Sequence, residues 1–182
     1  MYIRAFIASV VVIFNVAVQA KTVEQEIAVT SQRQVIIENL RGIVRIVGTT
    51  ANVVSVDGRI DEQATEFIFE ENDGHILVQV KMPRNMNSSF WNDHDKETDI
   101  TIKMPQSLSV QFNGVSSDVE VSQLLSSTQV KTVSGDVKAS KLAGDINLES
   151  VSGDVISRNL QGNIHLSTVS GDVEDEGSVG KI

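Results

Sequence analysis

Carboxylates recur on a fixed grid in the C-terminal half of the chain. Asp118, Asp136, Asp145, Asp154 and Asp172 share a nine-residue spacing with Asn163 and Lys181. A Gly–Asp rhythm of this length is the pattern by which β-rolls bind calcium, G-G-x-G-x-D-x-U-x. Here each nine-residue unit carries one Gly and one carboxylate, whereas calcium takes six to eight oxygens. Asn163 and Lys181 also break the series. The residues therefore point to Asp as a turn cap that accepts backbone N–H bonds, helped by the preceding Ser. A calcium-binding β-roll is the alternative.

A second set of ligating side chains lies in residues 84–98, a polar stretch without β alternation that holds the only Trp. Asn92, Asp93, His94, Asp95 and Glu97 could offer oxygen and nitrogen to a divalent cation. Their spacing does not match the calcium loop D-x-[DN]-x-[DN]-G. The expectation is a solvated loop with Phe90 and Trp91 against the sheet edge, although loops of this length are often functional. The three histidines, His75, His94 and His165, stand in unrelated contexts, His165 at an outward strand position and His75 beside a turn Gly, and no G-x-S-x-G, H-E-x-x-H or phosphate-binding Gly loop occurs. Without cysteine there is no thiol nucleophile, disulfide or cysteine-held metal. No catalytic, cofactor-binding or metal-binding residue is assigned, and no cofactor is expected. A carbohydrate-active enzyme remains the competing class, since glycosidase chemistry needs only two acids ~5–10 Å apart.

What must position these residues is a repeat. Val115-Ser116-Ser117-Asp118-Val119 returns as V-S-G-D-V at Val133, Val151 and Val169, with a period of 18 at each step. A weaker half-repeat follows nine residues on, at Leu142-Ala143-Gly144-Asp145-Ile146, Leu160-Gln161-Gly162-Asn163-Ile164 and Ser178-Val179-Gly180-Lys181-Ile182. Apolar positions 1, 5 and 7 of each half fit strand alternation. Gly-Asp every nine residues excludes helix. The spacing predicts strands of about seven residues joined by two-residue corners, two per period, stacked at ~4.8 Å into a β-solenoid with an aliphatic interior. Val133, Val137, Ala139, Leu142, Ile146, Leu148 and Val155 are the predicted interior. The Gly at position 3 marks a bend or a close approach of opposite walls. Stacking one period apart places Glu120 beside Lys138 and Lys131 beside Glu149, pairs worth ~0.2–1 kcal/mol each.

Composition agrees. Val, Ile and Thr number 27, 17 and 10 in 182 residues, against nine Leu and nine Ala, a balance that favours strands. A net charge of −9 argues against a protein that tracks nucleic-acid phosphates. Upstream of the repeat, short β-branched runs fall at 26–30, 34–38, 43–47, 53–59, 67–71, 76–82, 99–104 and 108–112. Arg41-Gly42, Gly48-Thr49, Asp57-Gly58 and Asn72-Asp73-Gly74 punctuate them as predicted turns, the last forming a hairpin.

Residues 1–20 read as a secretory signal: Arg4 in a short n-region, a 14-residue apolar run from Ala5, and Val18-Gln19-Ala20 as a cleavage site. The run is short of the ~20 residues that span a bilayer. Cleavage after Ala20 predicts a periplasmic, secreted or cell-surface chain that does not span the membrane.

The interleaved V-S-G-D-V and L-x-G-[DN]-I motifs resemble the bacterial putative-adhesin family, a domain of unknown function built of β repeats and related to the β-helical heads of autotransporter-like adhesins. The resemblance covers residues 115–182. It extends to residues 39–46, similar to the family's opening strand, and to 100–105, similar to its pre-repeat strand. The family's usual Trp after the opening strand is absent, Gly48 being followed by Thr49-Thr50. The resemblance implies an exported, non-catalytic β-solenoid with an adhesive or envelope role, and it transfers no site residues. The expected fold is all-β, a solenoid of the single-stranded β-helix type with 18-residue coils over 113–182, preceded by irregular strands and a hairpin over 21–112. The expected partner is an envelope protein or glycan. The repeat stops in mid-period, which predicts an uncapped C-terminal edge open to self-association.

Overall fold

The computed structural model describes residues 21–30, 33–85 and 96–181. The predicted leader (1–20) and, within the 84–98 loop, residues 86–95 with Asn92, Asp93, His94 and Asp95 lie outside that set. Among the described residues there are fourteen strands and no α-helix. The first seven are β1 (Thr22–Ala28), β2 (Gln34–Thr49), β3 (Val53–Arg59), β4 (Glu66–Asn72), β5 (His75–Lys81), β6 (Thr98–Pro105) and β7 (Ser109–Ser122). Shorter strands follow: β8 (Thr128–Lys131), β9 (Val137–Ser140), β10 (Ala143–Glu149), β11 (Val155–Arg158), β12 (Gln161–Ser167), β13 (Val173–Glu176) and β14 (Val179–Lys181).

All fourteen belong to one sheet, organised about the long parallel pair β2 and β7. Their N-terminal halves pair outward with β5 and β4 on one side and with β8, β10, β12 and β14 on the other. Their C-terminal halves pair with β6, β3 and β1, and with β9, β11 and β13. Alternate residues of both arms, Ile37 and Ile46 of β2 among them, bury into one hydrophobic core.

In the repeat, every parallel pairing is offset by 18 residues: Val137 faces Val155 and Val155 faces Val173, while Ile146 faces both Thr128 and Ile164. Val137, Leu142, Ile146, Leu148 and Val155 are buried as predicted. The periods 133–150 and 151–168 each hold one four-residue and one seven-residue strand rather than two of seven, because residues such as 132–136 bend out of the ladder. That bend corrects the inward assignment of Val133: Val133, Val151 and Val169 are 45%, 44% and 78% exposed. The opposite corner places Gln123, Lys141, Asn159 and Gly177 at φ 61, 55, 55 and 70, again 18 apart. Leu124, Leu142 and Leu160 turn in just after the first three of these corner residues.

The 72–74 hairpin forms as predicted, with Asp73 at φ 43 and Gly74 at φ 82 between β4 and β5. Two other predicted turns do not interrupt their strands: Arg41-Gly42 lies inside the 16-residue β2 and Asp57-Gly58 inside β3, while Gly48-Thr49 ends β2 just before the bend at 50–52. Gly42 (φ +101) is a close approach, since a Cβ there would strike the Thr98 carbonyl on β6. A glycine inside alternating sequence marks such an approach as readily as a strand end.

Candidate functional site

The V-S-G-D column of the Asp grid resolves into backbone capping. Asp118 Oδ1 accepts the N–H of Asp136 at 2.9 Å, Asp136 Oδ1 that of Asp154 at 3.0 Å, and Asp154 Oδ1 that of Asp172 at 2.9 Å. Each carboxylate thus caps the next coil, not its own turn. Hydroxyls one residue before the repeated Val add a second column that the sequence reading passed over. Thr132 donates to the Ser117 carbonyl, Ser150 to that of Gly135 and Thr168 to that of Gly153. The glycine of V-S-G-D approaches the coil beneath, not an opposite wall. A Cβ on Gly135 would collide with the Ser117 carbonyl, and one on Gly153 with that of Gly135.

The outward face of β8, β10 and β12 carries an open groove of about 690 Å³. Gln129, Asn147 and His165 form one lining row in consecutive register, and Asp145, Asn163 and Lys181 form the next. Two residues separate the rows along each strand, so both point to the same side. Asn163 Nδ2 donates to Asp145 Oδ1 at 2.8 Å. Asn147 Nδ2 donates to Glu149 Oε1 at 2.7 Å, and Asn147 Oδ1 is buried without a hydrogen-bond donor. Beyond the groove, Lys131 pairs with Glu149 at 3.1 Å, the predicted contact. The Asn147 amide holds the Glu149 carboxyl below the usual carboxylate range, with Lys131 adding to the effect. Glu120 and Lys138 share a register position as predicted, and Arg45 also reaches Glu120 at 3.7 Å. Of the histidines, His165 lines the groove from its predicted outward position, His75 sits beside the hairpin turn, and His94 is outside the described residues.

A buried polar cluster lies where β2 passes from one arm to the other. Arg41 Nε donates to Asp61 Oδ2 at 2.6 Å, both side chains about 1% exposed, and Glu97 approaches Arg41 Nη1 at 3.9 Å. Asn39 Nδ2 donates to the Arg41 carbonyl and to Ser117 Oγ, both at 2.9 Å. Glu97, the one described member of the proposed cation set, therefore faces a guanidinium. Among the described residues no group of three or more His, Cys, Asp or Glu is arranged to hold a metal ion, and no helix is long and apolar enough to cross a membrane.

An all-β chain whose C-terminal strands pair in parallel at a constant 18-residue offset defines a class of repeat architecture. Within that class the chain belongs to the Toastrack DUF4097 family, whose model matches residues 15–176. A putative cell adhesion protein from Clostridium sporogenes is similar in structure, with a TM-score of 0.61 at 10% identity, over 87% of this chain and 100% of that one. A putative adhesin from Bacteroides fragilis aligns at 13% identity with a TM-score of 0.37, over 89% of this chain and 97% of that one. A comparison with curated proteins finds no match. The family and the first of these structures agree with the expected resemblance to a β-repeat domain of unknown function.

Proposed function

We propose that the chain is an exported, non-catalytic binding module of the bacterial cell envelope, adhesin-like in role, with residues 113–182 forming a single-stranded β-helix of 18-residue coils. The carrying observation is the constant 18-residue offset between β8, β10, β12 and β14 and between β9, β11 and β13. Such an offset places one outward side chain per strand at the strand spacing of ~4.8 Å, producing ordered rows suited to an extended partner. The leader-like residues 1–20 support export with cleavage after Ala20. The name of the Clostridium protein supports an adhesive role.

Fractionation of cells expressing the tagged chain, with N-terminal sequencing of the product, tests the reading. The expected product begins at Lys21 and co-fractionates with envelope or medium. An uncleaved cytoplasmic pool would defeat export, and turnover of envelope polysaccharide by the pure protein would defeat the non-catalytic assignment.

A further inference from the structure

We infer that the groove on β8, β10 and β12 is a binding site for an uncharged, hydroxyl-rich chain, a neutral glycan lying across the strands. The inference rests on the binding-module reading and adds a place and a ligand class. Charge is the first argument. The lining carries one acid, Asp145, and one ammonium, Lys181, so the groove is formally neutral on a chain of net charge −9. It therefore lacks the concentrated field that selects polyanions or polycations.

Hydrogen-bonding capacity is the second. The carboxamides of Gln129, Asn147 and Asn163 each donate and accept, as vicinal hydroxyl groups do, and His165 and Asp145 extend the set. Asn147 turns its nitrogen to Glu149, a group that only accepts when ionised, and leaves Oδ1 without a donor. That oxygen is closed to a ligand, so the donors and acceptors a ligand meets are those of Gln129, Asn163 and His165. Periodicity is the third. The Gln129–Asn147–His165 row steps once per strand, at ~4.8 Å, close to the advance of one sugar ring.

The test is an amide-shift NMR titration of the full exported chain with cellohexaose, maltohexaose, xylohexaose and the chitin hexamer, with hexagalacturonate as the anionic control. At least one neutral hexamer should shift the amides of Gln129, Asn147 and His165 in a saturable way, and hexagalacturonate should bind more weakly. The double variant Gln129→Ala/Asn147→Ala should weaken that binding by about tenfold or more, the loss of about 1.4 kcal/mol, with its melting temperature little changed. Absence of shifts with all four neutral hexamers, shifts confined to other faces, or preference for hexagalacturonate would overturn the assignment. If the double variant misfolds, the shift map of the unsubstituted chain still decides. Binding to isolated envelopes separates the two readings. A folded double variant that binds envelopes as well as the parent removes the groove and leaves the binding module standing. A parent that ignores envelopes while binding a hexamer in the groove removes the envelope role alone.

Discussion

The two halves of the sheet meet the same requirement, burial of a continuous apolar interior, by different means. From β8 onward each problem is solved once and copied. One hydroxyl, one carboxylate and one glycine per coil recur at 18-residue steps, satisfying the bend and allowing the next coil to seat. In β1–β6 the offsets are irregular and three of the five pairings antiparallel, as in β1 with β3 and β3 with β6. There the chain uses single solutions: a hairpin, a left-handed Gly42 under β6, and a buried Arg41–Asp61 pair. The comparison teaches that register decides whether a polar group in a β core can be periodic. Where coils superpose, a short side chain reaches the backbone of its neighbour. Where they do not, a longer side chain such as Arg41 spans the gap.

The largest expected effect attacks the irregular half. Arg41→Ala leaves Asp61 buried without its cation and should cost about 3–5 kcal/mol, whereas a well-packed apolar pair such as Arg41→Met with Asp61→Leu should be far milder. Denaturant melts of the single and double variants check this. Equal losses in both would mean that volume, not charge, carries the site. Because both arms share one core, the Arg41→Ala melt should also remain a single transition. Separate melting of β10–β12 by hydrogen exchange would break the comparison into two independent units.

Next in size is the regular half. Ile146→Ala should cost about 2–5 kcal/mol, since Ile146 is buried between Thr128 and Ile164. A loss within experimental noise in a urea melt would show that the repeat interior is loosely packed. Gly153→Ala is smaller, about 1–3 kcal/mol as an overpacking cost, because the new methyl group meets the Gly135 carbonyl. Gly74→Ala is its comparator: nothing lies near a Cβ at that hairpin position, although its φ of +82 disfavours one. If Gly153→Ala is the more stable of the two, coil-to-coil approach does not limit the repeat.

These contrasts also explain what the sequence disclosed. The 18-residue period, the inward parity of Val137, Ile146 and Leu148, and the Lys131–Glu149 contact follow from alternation plus a constant step, both visible in one dimension. Thr132, Ser150 and Thr168 obey the same period, but their carbonyl acceptors lie on the coil beneath. Arg41 carried no signal, because an Arg beside a Gly reads as a turn and its partner Asp61 sits beyond β3. The groove was equally hidden. His165 was legible as outward, but its row exists only once Gln129 and Asn147 stack beneath it.

The smallest expected effect is electrostatic and separates hydrogen bonding from charge within one coil pair. Glu149 has a depressed carboxyl pKa in the folded chain, first through the Asn147 amide and then through Lys131. Both donors favour the ionised form, so the folded state binds a proton at Glu149 less readily than the unfolded chain does. Its stabilising contribution is therefore present above the unfolded carboxylate value, about 4.3, and is lost as pH falls through the lower folded value. The side chain is largely solvated, and salt screening keeps the stability change small. The readout is instead the Glu149 carboxyl titration by NMR. Asn147→Ala and Lys131→Met should each raise the midpoint, since both side chains favour the ionised carboxylate. Raising the salt concentration should shrink the Lys131 contribution while sparing that of Asn147, since screening acts on the ion pair more than on a short hydrogen bond. A Lys131 contribution that does not shrink with salt would mean that a short hydrogen bond, and not the ion pair, carries it.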